Sequence, residues 1–532
     1  MSCGEIPDGL ANAEEAEAVM PRRRQIRRID KSLCQRCKTA KSMYLIRNVT
    51  YCKACFQHNV FTRFMKTLHP PLKPSTTSDG GTNAKSKQTQ GGLRPPKQIG
   101  SSLIGLSGGS SSLTMLDLLI SKQYIGDDND RIIDKTKGEK EPIWNKGFVI
   151  YVEFDHILNN QLHGSTTPGN QDESLLTSRL EEIENWVKEQ NHNLTFIGLN
   201  AEDVFDPNLK KRIKALVGIQ EGNEDTQSAE GISVDLKNPD LPLFPIPSSS
   251  TSTTTPLDQL RSLLASLPAP SRPSLLSSIL TSLITITSQT IPNISHILLG
   301  ETSTRQAQRL ISGTASGKGY TLPLELAVSY KAENAITILK PMKEITTKET
   351  AIYSYLKGWN GFIRNERKWD NAGPKSKKDS RGKGDIKSLE SLTELFIATL
   401  AVTHPSTVST INRTGDKLMF TGEKGQEVSC PVCQLPVDPH ALQWKSRTAL
   451  TSLPTKTIAD ISSPDDEKNE KLATLLCYAC LTTFTPPTVV AKALRSDTEP
   501  VQLPYWIGEN VRRKVARVEM KEDIKDFLIG EE

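Results

Sequence analysis

The chain is poor in several things, and each shortage narrows what it can be. Aromatic residues make up 5% and hydrophobic residues 36% of its 532 positions, too few for one compact globule of that length. A smaller core diluted by long polar insertions is expected instead. No apolar run is long enough to cross a membrane, since Ser274–Ile291 is interrupted throughout by Ser and Thr. Charge of one sign is not in excess. Lys and Arg number 66 against 61 Asp and Glu, a net of +5, so basicity must be local rather than general. The N-terminus, Met1-Ser2-Cys3-Gly4-Glu5, leads into acidic residues and carries no signal-peptide pattern. A soluble cytoplasmic or nuclear protein, with no membrane partner, is the expectation.

Cysteine is absent from residues 56–429. That gap excludes thiolate chemistry, sulfur transfer and cluster ligation across the middle of the chain. The cysteines that do occur are paired by spacing. Cys34/Cys37, Cys52/Cys55, Cys430/Cys433 and Cys477/Cys480 are four Cys-x-x-Cys units, with Cys3 left over. In a chain without secretory features such pairs read as metal knuckles, not disulfides. Fourteen residues separate the first two pairs. Four thiolates satisfy tetrahedral zinc, and a module too small for its own core gains a staple. Met43–Ile46 and Val49–Tyr51 between these pairs read as a hairpin turning at Arg47-Asn48. The last two pairs are 43 residues apart. They can still close one site, because loop-closure cost rises slowly with length.

Basic residues collect near the first knuckles. Arg22, Arg23, Arg24, Arg27 and Arg28 form an arm, and Arg36, Lys38, Lys41, Arg47 and Lys53 lie within the module. Together with Arg63 and Lys66 they are candidate contacts to an RNA backbone. Phe56–Leu68 has a helical stripe of Phe56, Val60, Phe64 and Leu68, which Pro70 and Pro71 are expected to end.

The middle of the chain reads as strand–helix alternation. Buried strands are expected at Leu103–Leu106, Phe148–Asp155, Leu194–Leu199, His296–Gly300 and Ala335–Leu339. Helices are expected after Leu113, over Glu173–Gln190, through Leu257–Ile286 with breaks at its prolines, over Glu301–Leu310 and around Lys348–Tyr355. Such alternation implies a doubly wound, mostly parallel α/β sheet, with ligands at the carboxyl ends of its strands. The segment joining the first strand to its helix, Ser107-Gly108-Gly109-Ser110-Ser111-Ser112, brings backbone N–H groups and a helix N-terminus to one place, as phosphate loops do. It lacks the Gly-Lys-Ser/Thr of the common nucleotide P-loop. The expected organisation is a disordered basic arm at 1–32, a zinc module and helix at 33–70, and a linker at 71–100. An α/β domain follows at 101–365, with a disordered insertion at 221–256. A basic loop at 366–390 leads to C-terminal helices and a second zinc knuckle at 391–532, closing on a charged amphipathic helix over Arg512–Leu528.

Ser107-Gly108-Gly109-x-x-Ser112 resembles the pyrophosphate loop of PP-loop ATPases, Ser-Gly-Gly-x-Asp-Ser, with Ser111 where the family has Asp. Further residues sharpen this: Cys34-x-x-Cys37 with Tyr51-Cys52-x-x-Cys55-Phe56, Leu299-Gly300-Glu301-Thr302, Lys340-Pro341-Met342 with Lys348-Glu349 and Tyr353, and Cys430-Pro-Val-Cys433 with Leu476-Cys477-Tyr478-Ala479-Cys480. Together they are similar to the second subunit of the cytoplasmic tRNA 2-thiolation complex, a degenerate PP-loop family. The resemblance implies a PP-loop fold and a heterodimer with a catalytic PP-loop subunit. It also implies sulfur delivered by a ubiquitin-related modifier to position 2 of the wobble uridine, after ATP activates the 2-oxygen. Active relatives carry cysteines inside the ATPase domain, the loop Asp, and paired acidic residues where this chain has Thr302-Ser303-Thr304. All three are missing, which implies an accessory subunit without catalytic residues. Any residual nucleotide contacts would be Ser107, Gly108, Gly109 and Ser112. The alternatives are an active ATP-dependent sulfurtransferase and a zinc-ribbon scaffold unrelated to RNA.

Overall fold

A computed structural model describes residues 32–73, 94–126, 132–134, 138–158, 179–191, 193–219, 231–238, 240–246, 254–332, 335–363, 369, 388–422, 429–448, 471–485 and 500–524. The arm at Arg22–Arg28 and the basic stretch 370–387 lie outside these residues. The chain divides into two compact units, Met1–Asn59 and Val60–Glu532. The division falls earlier than the expected boundary at residue 70, so residues 60–70 go with the larger unit.

The first unit contains the hairpin of β1 (Tyr44–Ile46) and β2 (Val49–Tyr51), in the expected register. Arg47 and Asn48 both take positive φ, 49° and 67°, as a tight two-residue turn between right-twisted strands requires. Helix α1 (Lys53–Leu72) starts here and crosses the unit boundary. It does not stop before Pro70 and Pro71, which sit in its last turn. Leu68 and Leu72 continue the buried stripe, and that burial offsets the poor helical fit of proline.

In the larger unit, β3 (Ser101–Gly105) runs into the glycine loop and α2 (Ser110–Ser121). A hairpin of β4 (Ile132–Asp134) and β5 (Gly138–Lys140) precedes β6 (Gly147–Glu153). Next come α3 (Arg179–Gln190), β7 (Leu194–Asn200) and α4 (Leu209–Val217). After β8 (Gly231–Val234) and β9 (Leu243–Ile246), α5 (Pro256–Ser266) and α6 (Arg272–Thr290) flank the prolines expected to break that helical stretch. The chain continues through β10 (Ile294–Leu299), α7 (Ser303–Ala315), β11 (Ser329–Lys331), β12 (Thr337–Leu339), α8 (Thr347–Lys357), α9 (Leu389–Thr403) and α10 (Pro405–Gly415). It closes with α11 (Tyr478–Phe484), β13 (Val501–Leu503) and α12 (Tyr505–Ile524).

The central sheet has strand order β11-β12-β10-β3-β6-β7, parallel except for the edge strand β11. It is the expected doubly wound, mostly parallel α/β architecture. Every residue of β6 is buried, because both faces of the sheet are covered. On one face Phe148, Ile150, Val152, Ile197 and Leu199 share a core with Leu263, Leu276, Ile279 and Leu283 of α5 and α6. The alternate residues Ile104, Val149 and Tyr151 are buried on the other.

Two expectations fail in this unit. Residues 221–256 were expected to be disordered, yet they supply β8 and β9, which join β13 in an antiparallel sheet of order β13-β8-β9. The reason is non-local: β8 is completed by a strand near the far end of the chain, and no local periodicity reports that pairing. The C-terminal knuckle is also not a separate appendage. Cys430, Cys477 and Cys480 are buried in the same core as the sheet and α6.

Candidate metal centres and the glycine loop

Cys34, Cys37, Cys52 and Cys55 bring their sulfurs to one place, and so do Cys430, Cys433, Cys477 and Cys480; within each set the Sγ atoms lie within 4.8 Å of one another. Cys37 and Cys52 are 4.0 Å apart, and Cys433 and Cys477 are 3.7 Å apart.

The two sets are built alike. In each, the residue after the second cysteine turns left-handed, Lys38 at φ 60° and Gln434 at φ 59°. Its N–H bonds back to the first cysteine's carbonyl at 2.8 Å in both cases. Bridges Leu33–Lys41 and Ser429–Pro436 close the two knuckles. The third cysteine of each set stands at a helix start, Cys52 before α1 and Cys477 as the N-cap of α11. Burial raises the Cys34 thiol, but the N–H groups of Cys37, Cys52 and Arg36 hold it below its ordinary value. The Thr39 hydroxyl, with N–H groups of Ala40 and Thr39, pulls Cys37 down to about 5, while burial pushes Cys55 up to about 12. Four thiols at this separation cannot all ionise without a cation, and each set could hold a metal ion that would supply that charge.

The sets differ in burial. Cys37 and Cys55 are partly exposed, whereas the C-terminal set has only Cys433 partly exposed. Lys318 and Lys514 carry positive charge near the C-terminal sulfurs. The Lys318 ammonium is held up first by Glu325 and then by Cys480 and Cys433. Around the N-terminal set, Arg36, Lys38, Lys41 and Lys53 are all exposed. Arg63, grouped with them in the sequence, is committed to an ion pair with Glu349 at 2.7 Å.

The glycine loop stands where the strand order reverses, between β3 and β10, which is the switch point of such a sheet. Its polar groups bond to one another. Ser107 N–H donates to Ser112 Oγ at 3.2 Å, the two hydroxyls are 3.1 Å apart, and Ser112 Oγ donates to the Gly109 carbonyl at 3.1 Å. Ser111 donates its hydroxyl to the Gly300 carbonyl. Ser110 Oγ meets Thr350 Oγ1 of α8 at 3.2 Å. Gly108 has φ +73°, and a Cβ there would lie 3.0 Å from Ile183 and 3.1 Å from the Arg179 guanidinium. Arg179 is buried, bonded to the Phe362 carbonyl at 2.8 Å and paired with Glu182. Gly300 leaves room for the first turn of α2, since a Cβ there would lie 3.0 Å from Ser112 Cα.

Thr302, Ser303 and Thr304 also reach this edge. Thr302 caps α7 and lies 3.0 Å from Thr347 Oγ1, and Ser303 donates to the Ile345 carbonyl. Behind them Glu301 is ion-paired with Arg309 at 2.6 Å and Lys340 at 3.0 Å, and Arg309 reaches Glu325 at 3.3 Å. Burial raises the Glu301 carboxyl, but Arg309 and Lys340 outweigh it and bring it down to about 2. Sequence reasoning singled out Glu301 and Lys340 but not their pairing, nor Arg179.

The family model described as "Cytoplasmic tRNA 2-thiolation protein 2" matches residues 388–482. Cytoplasmic tRNA 2-thiolation protein 2-A of Xenopus laevis is 26% identical over 274 residues, 45% of this chain and 49% of that protein. The corresponding protein of Schizosaccharomyces pombe is 26% identical over 189 residues, 35% of this chain and 43% of its own length. The chain thus spans about half the length, or less, of these curated relatives. Among solved structures, the U34-tRNA thiolase NcsA from Methanococcus maripaludis, with its [4Fe-4S] cluster, aligns with TM-score 0.41 and 15% identity, covering 76% of this chain and 95% of that one. In these stretches, then, the chain is similar to cytoplasmic tRNA 2-thiolation protein 2: over residues 388–482 by the family model and over up to 274 residues by the Xenopus laevis relative.

Proposed function

We propose that this chain is a non-catalytic subunit in the 2-thiolation of the wobble uridine of cytoplasmic tRNAs. It binds tRNA and pairs with a catalytic PP-loop subunit, which activates the uracil 2-oxygen with ATP and receives sulfur from a ubiquitin-related modifier. The observation that carries this reading is the switch-point loop. Where an adenylating enzyme of this kind needs acidic residues and a nearby thiol, this chain has Ser111, Thr302, Ser303 and Thr304, hydrogen-bonded to their own surroundings. All eight paired cysteines are committed to the two four-sulfur sets, which leaves none of them free to carry sulfur.

The metal in each set is zinc, and its role is structural. A tetrahedral ion with Zn–S of about 2.3 Å needs sulfurs about 3.8 Å apart, and the observed separations of 3.7 and 4.0 Å fit. The exposed Arg36, Lys38, Lys41 and Lys53, with the arm Arg22, Arg23, Arg24, Arg27 and Arg28, bind the tRNA backbone through counterion release. Ser107, Gly108, Gly109 and Ser112 keep the shape of a nucleotide loop as a structural joint.

Nucleoside mass spectrometry of bulk tRNA from cells lacking this gene tests the pathway. Loss of the 2-thiolated wobble uridine is expected, and unchanged thiolation overturns the reading. A pyrophosphate-release assay on the purified chain, with Ser107→Ala as control, tests the non-catalytic role. ATP turnover that Ser107→Ala abolishes would make this chain the enzyme.

A further inference from the structure

Helix α12 carries three donors that all reach the C-terminal cysteine loops. Trp506 Nε1 donates to the Val432 carbonyl at 3.3 Å, Asn510 Nδ2 to the Pro431 carbonyl at 3.1 Å, and Lys514 Nζ to the Leu475 carbonyl at 2.7 Å. These residues are four apart, so they lie one above another on a single face of α12. Pro431 and Val432 are the two residues between Cys430 and Cys433, and Leu475 stands two residues before Cys477. One helix face therefore holds both arms of the four-sulfur set. Nothing covalent and short does so, since 43 residues separate Cys433 from Cys477.

We infer that α12 is the outer-shell clamp of the C-terminal metal centre, with Trp506, Asn510 and Lys514 as positioning residues that set how tightly the metal is kept. The inference rests on the reading of the cysteine sets as metal sites. Ligand loops of a metal site need partners that fix their orientation, and removing such partners weakens metal binding. Charge supports the same assignment. A divalent ion with four thiolates has a net charge of −2, and in a buried setting that charge needs a compensating cation. Lys514 provides one, its ammonium 2.7 Å from the Leu475 carbonyl, two residues before Cys477. The Trp506 ring is buried in the core, so the clamp is docked by packing as well as by hydrogen bonds.

The test uses the full chain loaded with zinc. Metal content is measured by mass spectrometry, and zinc release to a chromogenic chelator is followed over time. Wild type should hold two ions per chain. In N510A/K514M one ion should leave about 10–100-fold faster while the other keeps its wild-type rate. K514R, which preserves charge and donor, should behave as wild type, and K514M alone should show an intermediate effect if the double variant fails to fold. In the cobalt-substituted protein, the thiolate-to-metal absorption of one site should shift in K514M and not in K514R. Wild-type release from both sites in K514M overturns the clamp. A wild-type chain that holds fewer than two ions overturns the metal reading itself.

Discussion

At the scale of single residues, the polar groups around the glycine loop are satisfied by their neighbours. Ser111 bonds a backbone carbonyl, and Glu301 is held by two cations. The pairing of Glu301 makes stability depend on pH. The Glu301 carboxyl has an ordinary value of 4.5 and is held at about 2 in the fold. A depressed carboxylate stabilises the fold above its unfolded value, and that contribution is lost as pH falls through its folded value. The window is therefore roughly pH 4.5 down to 2, and the amount is about 3 kcal/mol. Burial lowers His296 from 6.5 to about 4, so protons favour the unfolded chain across that range too, in the same direction. The denaturation midpoint is expected to fall continuously from about pH 6.5 downward. Glu301→Gln should be destabilised at neutral pH, because Arg309 and Lys340 lose their partner, and should lose the part of the acid limb below pH 4.5. An unaltered acid limb in that variant would show that Glu301 is not its source.

At the scale of elements, the decisive pieces are those whose partners are distant. β13 completes the sheet of β8 and β9, pairing Val501 with Val234 and Leu503 with Ile232. α12 follows directly and buries Trp506, Ile507 and Val511. A chain cut after residue 499 loses both. The edge of β8 and the core side chains beneath α12 then become exposed, and an uncovered apolar surface of that kind promotes association. The expected result is a lower melting temperature with increased binding of a hydrophobic dye; wild-type melting of the truncated chain would mean that these elements are dispensable. The opposite holds for the β1–β2 hairpin, whose turn and register are set by residues adjacent in the chain.

At the scale of the whole molecule, two similar cysteine centres serve units of unequal self-sufficiency. The first unit ends at Asn59 and has few buried apolar residues among its described residues, Ile46 and Phe56 among them. Small units of this size depend on a staple. The larger unit has an extensive core into which the second centre is built. Cys34→Ser/Cys37→Ser should therefore remove one metal ion, unfold the hairpin and leave the main melting transition in place. Cys430→Ser/Cys433→Ser should remove the other ion and lower the main transition by several degrees, because its cysteines are core residues. Unchanged metal content in the first variant would overturn the ligand assignment. Equal shifts of the main transition in both would overturn the division of roles.

The sequence alone determined the features written in short spacings. Four Cys-x-x-Cys pairs, a two-residue hairpin turn at Arg47-Asn48, the strand–loop–helix at Ser101–Ser121 and the α/β alternation all depend on neighbours within a turn or a strand. It also located the Ser-Gly-Gly loop and the absence of cysteine between residues 56 and 429, since both are read from residue identity alone. Tertiary structure alone decided the rest. It paired the cysteines into two sets of matching geometry and placed the second inside the main core. It made strands of residues expected to be disordered, and it carried α1 through two prolines because Leu72 could be buried. It turned a charged terminal helix into a clamp on the cysteine loops. Each of these rests on contacts between residues far apart in the chain, and a local pattern carries no record of which distant surface it will meet.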